Sequence, residues 1–255
     1  MQDEQSTLGV FETYSKYYDL LYKDKNYNAE SRYIVNLLKQ FKMRGQRILE
    51  LGSGTGKHAT LLSKYGYKIV GIERSAEMVS KAKQDKNFKC VIGDITTITL
   101  NKKFDAVLSL FHVVSYVTTN KSLQSLFNHT YAHLTKNGLF IFDIWYSPAV
   151  IFNQPELRVK KMADKDIEIT RIADPEIFEN LNEVKINYTI YITDKKTKAI
   201  SKIEETHIMR HFSIPELTFL ANQHGFIVEH AEEFLTKNVP SQNTWGVCFV
   251  LRKAN

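Results

Sequence analysis

Three glycines alternate in the stretch ILELGSGTGKHATLL, residues 48–62: Gly52, Gly54 and Gly56. An apolar run precedes them and a helix-like run follows. Glycines in such a turn let the backbone come close to a ligand and allow positive φ. Three acids keep step with the turn. Glu50, at the end of the apolar run, could accept hydrogen bonds from a cationic amine. Glu73 lies 21 residues past Gly52 and suits a carboxylate reaching two ribose hydroxyls, and Asp94, another 21 residues on, could accept from an exocyclic adenine amine. Taken together, the acids would read an amino acid, a ribose and an adenine.

The phosphate alternatives fit less well. A Walker loop needs glycine at position 51, which is Leu51, and a hydroxyl after Lys57, where His58 stands. The dinucleotide fingerprint finds its first two glycines in Gly52 and Gly54. Its third small residue, needed for close helix packing, is replaced by Lys57. Plainer roles also exist: a tight turn for the glycines, a helix N-terminal acid for Glu73, a turn cap for Asp94 and core packing for Met78.

The elements that must hold these residues follow from periodicity. RILEL, KIVGIE, FKCVIGD, FDAVLSLF and LFIFDIW read as strands. Helices are expected over Asn28–Phe41, from about Lys57 to Tyr65 with Gly66 as its stop, from Ser75 as N-cap, and over Leu123–Leu134. Strands alternating with helices argue for a doubly wound, mostly parallel α/β sheet, with ligands at the carboxyl ends of its strands. The pattern changes near Tyr146: all five prolines lie after residue 147, and nine of the eleven glycines lie at or before residue 138. VKINYTIYITD and KAISKIEETHIMR, joined by DKKTK, read as an antiparallel hairpin, and IEITRI as a third strand. SIPELTFLANQHGF reads as a capped helix with an early proline, and IVEHAEEF and WGVCFVLRK as two last strands. The expected organisation is a Rossmann-like core with an N-terminal helical cap over 1–146, an antiparallel β insertion on the acceptor side over 147–212, and a helix and strands over 213–255 that complete the core sheet.

The 255 residues suffice for a sizeable core, and the net charge of +6 comes from scattered lysines rather than a basic arm. No apolar run reaches membrane-spanning length, and the N-terminus lacks a secretory pattern. Cys90 and Cys248 have no metal-ligand spacing and are expected as buried thiols in a cytoplasmic protein. His129 and His133 stand four apart, but on a helix remote from the strand ends, so no metal is expected.

ILELGSGTGKHA, VGIERSAEMVSKAK, VIGDI and FDAVLSLFHVVSY resemble, in order and spacing, the nucleotide-binding motifs of class I S-adenosylmethionine (SAM) dependent methyltransferases, over roughly residues 14–146. The resemblance implies SAM as cofactor. It implies that Gly52, Ser53 and Gly54 pack against the methionine part, Glu73 binds the ribose, Arg74 and Met78 flank the adenine, Asp94 and Ile95 contact its edge, and Leu110 sits by the sulfonium. The segment YYDLLYKDKNYNAES, together with FDIWYSP, the inserted hairpin and TWGVCFVLRK, resembles more loosely the sugar N-methyltransferases that act on nucleotide-linked amino sugars. In similar enzymes the N-terminal segment, here bearing Tyr18 and Tyr22, closes over the cofactor.

The expected acceptor is thus a small molecule, the amine or hydroxyl of a nucleotide-linked deoxysugar. Tyr18 and Tyr116 are the residues expected on it, His112 is a further catalytic candidate, and Trp145 would be an apolar wall. Arg158, Arg171 and Arg210 are candidates for a diphosphate with no motif behind them. RNA would favour a clustered basic face, which is missing here, and SLFHVVSY departs from the N/D-P-P-Y loop common in DNA base methyltransferases. No DNA or membrane partner is expected, and a homo-oligomer is left open. Another metabolite acceptor, or a non-catalytic protein that binds S-adenosylhomocysteine (SAH), are the rival readings.

Overall fold

In the computed structural model, residue 17 and residues 20–254 are described; Tyr18 lies outside them. The described residues form two units. One comprises Asn26–Gln154 with Arg210–Asn255; the other comprises Pro155–Met209 with the described residues up to Lys25.

The first unit is built on a seven-stranded sheet. In chain order its strands are β1 (Arg47–Leu51), β2 (Lys68–Glu73), β3 (Phe88–Ile92), β4 (Phe104–Ser109), β5 (Leu134–Trp145), β10 (Phe226–Glu233) and β11 (Gly246–Lys253). Their order across the sheet is β10-β11-β5-β4-β1-β2-β3. β1 pairs in parallel with both β2 and β4, β2 with β3, and β4 with β5, while β11 runs antiparallel to its two neighbours. This is the doubly wound class I methyltransferase fold expected from the sequence. The chain leaves β1 toward β2 on one side and reaches β4 on the other. The switch point between β1 and β4 is therefore where a crevice opens at the strands' carboxyl ends.

Each face of the sheet carries its own core. One face buries Leu49, Leu51, Phe127, Phe140, Phe142 and Phe249 among others; the other buries Ile48, Ile69, Ala106, Leu108, Ile141 and Val250. Alternate residues of one strand thus go to opposite faces, and the central strands read as continuous apolar runs because both faces are covered. Helix α1 (Tyr27–Gln40) begins at Asn26, whose side chain accepts from the Ala29 amide at 3.0 Å, and it buries Tyr33, Ile34, Leu37 and Leu38. α2 (Lys57–Ser63) follows the glycine turn. α3 (Ala76–Lys81) is capped by Ser75, as its sequence suggests. α4 (Asn120–His133) starts three residues before Leu123, capped by Thr119, whose hydroxyl accepts from the Ser122 amide. A short α5 (Ser147–Phe152) follows β5. α6 (Ile214–Gln223) opens on a reciprocal capping box between Ser213 and Glu216, with proline in its first turn. No helix among the described residues is long and apolar enough to cross a membrane.

The second unit is an antiparallel sheet of four strands, β6 (Arg158–Ala163), β7 (Ile167–Phe178), β8 (Glu183–Asp194) and β9 (Ile200–Arg210), in that spatial order. The sequence reading finds β7, β8 and β9 and misses β6. RVKKMA carries three charges in six residues, the pattern of an edge strand protected from pairing with other chains rather than of a packed one. β7 also runs further than IEITRI, through Pro175. β6 pairing ends at Arg158↔Ala173, so Pro175, which has no N–H, sits beyond the stretch where that ladder needs a donor. Ile169, Ile190 and Ile192 pack with Leu21 at the centre of this unit.

Candidate active site

The glycine turn links β1 to α2. The amides of Gly52 and Ser53 both donate to the Ile72 carbonyl, at 2.8 and 3.0 Å, which ties the turn to the end of β2. Gly52 has φ +69°, and a Cβ there would sit 2.6 Å from both Val113 methyls. Only glycine satisfies both the torsion and the space. At Gly54, φ +54°, the nearest side-chain atom to a Cβ would be Met78 Sδ at 3.8 Å, so the turn's backbone is open to close approach from above. Ser53 is buried with its hydroxyl 3.2 Å from Cys90 Sγ, so its side chain faces β3 and its backbone lines the turn.

The three acids occupy different environments. Glu50 is 2 % exposed and its Oε2 has no hydrogen-bond partner. Burial, and next the nearby charge of Glu73, push its pKa up to about 8, with a hydrogen bond from the Ala59 amide working the other way. Glu73 accepts from the Gly54 amide through Oε2 and from the Ser75 amide through Oε1, both at 2.9 Å. Asp94 accepts from the amide and hydroxyl of Thr96 through Oδ1, at 2.7 and 2.6 Å, so it does cap the turn after β3. Met78 is buried, Arg74 exposed and Ile95 half-buried beside the core. Leu110 is buried at the end of β4. The structure therefore brings Glu50, Gly52, Ser53, Gly54, Glu73 and Met78 together around one turn. A carboxylate oxygen left without a donor inside it is what a cationic amine would satisfy.

A second cluster forms at the carboxyl ends of β4 and β5. Phe111 and His112 both have left-handed backbones, φ +68° and +60°, an uncommon pair of conformations for non-glycine residues. They turn His112 back onto Asp143, which is 1 % exposed. The His112 amide donates to Asp143 Oδ2 at 3.1 Å, and Nδ1 lies 2.8 Å from the same oxygen, off the hydrogen-bonding direction. A 3₁₀ turn, Val113–Tyr116, follows. Its buried Ser115 accepts from the Trp145 amide at 3.2 Å. The Trp145 ring lies 6.3 Å from His112 and 5.9 Å, edge to face, from Trp245. Tyr116 is half-buried at the end of the turn. His112, Trp145 and Tyr116 thus share one strand-end region, with Asp143 and Trp245 joining them through tertiary contacts that no local spacing announces.

The remaining candidates have contacts of their own. Tyr22 lies in the second unit, packed on the Leu21–Ile169 cluster with the Arg171 guanidinium 6.0 Å from its ring. Arg210 is held by the Thr118 carbonyl, Asn120 and Glu216. His133 uses Nδ1 on the His129 carbonyl and accepts from the Leu100 amide at Nε2, so both ring nitrogens serve the backbone. Cys90 and Cys248 are free, buried thiols.

Residues 48–138, which run from β1 across the glycine turn into β5, match the methyltransferase domain family. The chain carries a class I, SAM-dependent methyltransferase domain. Similarity to this methyltransferase extends well past those residues. YqeM of Bacillus subtilis (strain 168), whose name states no acceptor, is 25% identical over 250 residues, 96% of this chain and 98% of that one. The dTDP-3-amino-3,4,6-trideoxy-alpha-D-glucopyranose N,N-dimethyltransferase of Streptomyces venezuelae is 24% identical over 218 residues, 84% of this chain and 90% of that one. Among solved structures, a SAM-dependent methyltransferase from Clostridium acetobutylicum superimposes with a TM-score of 0.81 at 17% identity, over 95% and 98% of the two chains, and has the same fold.

Proposed function

We propose that this methyltransferase alkylates the amine of a nucleotide-linked deoxysugar. The carrying observation is extent: likeness to the amino-sugar dimethyltransferase covers 84% of the chain, far more than the methyltransferase domain at residues 48–138. Shared cofactor binding alone would not require that.

On this reading Glu50 Oε2 receives the ammonium of the methionine part, and the amides and open backbone of Gly52–Gly54 pack beside it. Glu73, already fixed by Gly54 and Ser75, keeps lone pairs for the ribose hydroxyls. Met78 and Arg74 flank the adenine, Asp94 and Ile95 contact its edge, and Leu110 sits by the sulfonium. SAM supplies a methyl carbon that is electrophilic without further activation.

The remaining work falls to the acceptor side. An amine attacks only when unprotonated, so a weak base beside it helps. On this reading Tyr116 or His112 supplies that base, Asp143 orients His112, and Trp145 and Trp245 form an apolar wall that excludes water. Alignment of the acceptor lone pair can itself supply roughly 7–11 kcal/mol of the barrier.

Calorimetric titration of uridine- and thymidine-linked amino sugars into protein saturated with SAH tests the acceptor. Saturable binding of one of them, followed by methyl transfer to that compound, is expected. No binding across the set would discard the sugar acceptor in favour of other amine metabolites or RNA.

A further inference from the structure

A buried row of acid, imidazole and acid lies beside the glycine turn, and two of its members, Glu30 and His58, take no part in the chemistry above. Glu30 projects from α1, His58 from α2 and Glu50 from β1; they are 6%, 7% and 2% exposed. His58 Nε2 is 2.7 Å from Glu30 Oε2, and His58 Nδ1 is 3.8 Å from Glu50 Oε1. The remaining oxygen of Glu50, Oε2, is the one without a partner. From the other packed elements, Glu73 on β2 acts electrostatically on Glu50, and Glu50 in turn acts on the Cys90 thiol of β3. The Tyr27 ring meets His58 edge-on at 5.0 Å, with the Lys57 ammonium 5.3 Å from that ring's centroid.

The arrangement poses a charge problem. A carboxyl so buried, with Glu73 close by, favours its neutral form, and a neutral carboxyl holds a cation poorly. An arriving ammonium reverses the preference, so the Glu50 proton must go somewhere. With Nε2–H donating to Glu30, His58 turns the lone pair of Nδ1 toward Glu50, and an imidazolium formed there keeps its counter-charge in Glu30. Long separations of this kind are common in ligand-free sites and tighten on binding.

We propose that Glu30 and His58 form an internal proton acceptor that lets Glu50 ionise when the cofactor's ammonium binds. In the step, the O–H bond of Glu50 breaks and an N–H bond forms at His58 Nδ1. The ammonium keeps its protons, and none passes to solvent. His58 is thus a positioning residue that sets the charge of the group touching the ligand. This rests on the reading of Glu50 as the seat of that ammonium.

The test is calorimetry of the whole protein with SAH, and with 5′-methylthioadenosine, which lacks the amino-acid part. Running each titration at pH 7 in buffers of different ionisation enthalpy yields the protons exchanged. Wild type should bind SAH with little net proton release. In His58→Gln, release should rise toward about one proton per SAH bound, because the displaced proton has no internal acceptor. SAH affinity should fall ~10-fold or more in that variant, the scale of a lost charge-assisted bond, while 5′-methylthioadenosine affinity holds. Glu30→Gln keeps the imidazole but removes its anchor, and should move the proton count the same way, which covers a His58→Gln protein that folds poorly. Equal proton counts in wild type and both variants would overturn the relay, as would parallel loss of both ligands. Glu50→Gln separates the two readings. Unchanged SAH affinity there removes Glu50 as the ammonium seat. Weakened affinity with an unmoved His58→Gln proton count removes the relay alone.

Discussion

One oxygen of Asp143 meets His112 at two atoms: Oδ2 accepts the His112 amide at 3.1 Å and lies 2.8 Å from its Nδ1, off the hydrogen-bonding direction. His112 lies in the turn after β4 and Asp143 on the neighbouring β5, and the left-handed backbones of Phe111 and His112 are what fold one onto the other. Such strain persists where surrounding structure enforces it, and the enforcing group here is a buried carboxylate. Asp143→Asn should keep the fold and leave SAH affinity within about twofold of wild type, while kcat on the identified acceptor falls on the order of 10–100-fold as the imidazole loses its orientation. Steady-state kinetics beside calorimetry decide it; an unchanged kcat would reduce Asp143 to a turn anchor.

Glu73→Ala removes more than a ribose contact. Its carboxylate satisfies the Gly54 and Ser75 amides, so truncation strands two donors at the hinge of the turn. The variant should lose ~1–3 kcal/mol of stability from the stranded groups and, in addition, bind SAH at least ~10-fold more weakly. Urea melts and calorimetry on the same samples report both. Full affinity in a destabilised variant would remove Glu73 from the ribose.

Much of this was legible in the sequence, and the boundary is physical. KIVGIE is β2 residue for residue, and Ser75 and Ser213 cap their helices as their positions suggest, because strand alternation and caps are local. The glycine turn was legible for the same reason: torsion and close approach leave a mark at the residue itself. β6 was not, since an edge strand need not be apolar. Nor were the pairings of Glu30 with His58, or of Ser147 with His211, whose partners stand 28 and 64 residues apart. Nothing in either residue's neighbourhood encodes a meeting made by tertiary packing.

Gly52→Ala tests the turn's geometry against its role. The new Cβ would collide with Val113 at 2.6 Å in a backbone that side chains rarely adopt. A destabilisation of ~1–3 kcal/mol is expected, with SAH affinity reduced. Adding Val113→Ala should recover the steric part and leave the torsional part. Failure of the second change to recover any stability would show that Val113 yields without cost.

Tyr116→Phe separates proton transfer from alignment. The half-buried ring stays and only the hydroxyl goes. If that oxygen takes the acceptor's proton, turnover should fall ~10²-fold or more with SAH affinity unchanged. Normal turnover with the identified acceptor would leave alignment, with His112, as sufficient.

His211 gives the fold an acid-sensitive joint. It is 2 % exposed with Nδ1 2.8 Å from Ser147 Oγ. Burial first, and the adjacent Arg210 charge second, push its pKa down to about 4. The unfolded chain takes up this proton near pH 6.5, whereas the folded protein refuses it until about pH 4. Between those values the unfolded state binds more protons, so stability rises with pH, and acidification through the window should cost on the order of 3 kcal/mol from this group. Glu50 has the opposite sign, since its raised pKa favours the folded state at low pH and withdraws that support as pH climbs through about 8. The two terms must be separated by difference. Urea midpoints of wild type and His211→Asn, measured from pH 4 to 7, should converge toward acid, because the variant has no proton to take up at this position. Parallel curves would mean that His211 is protonated at the same pH in both states and that its burial carries no linkage.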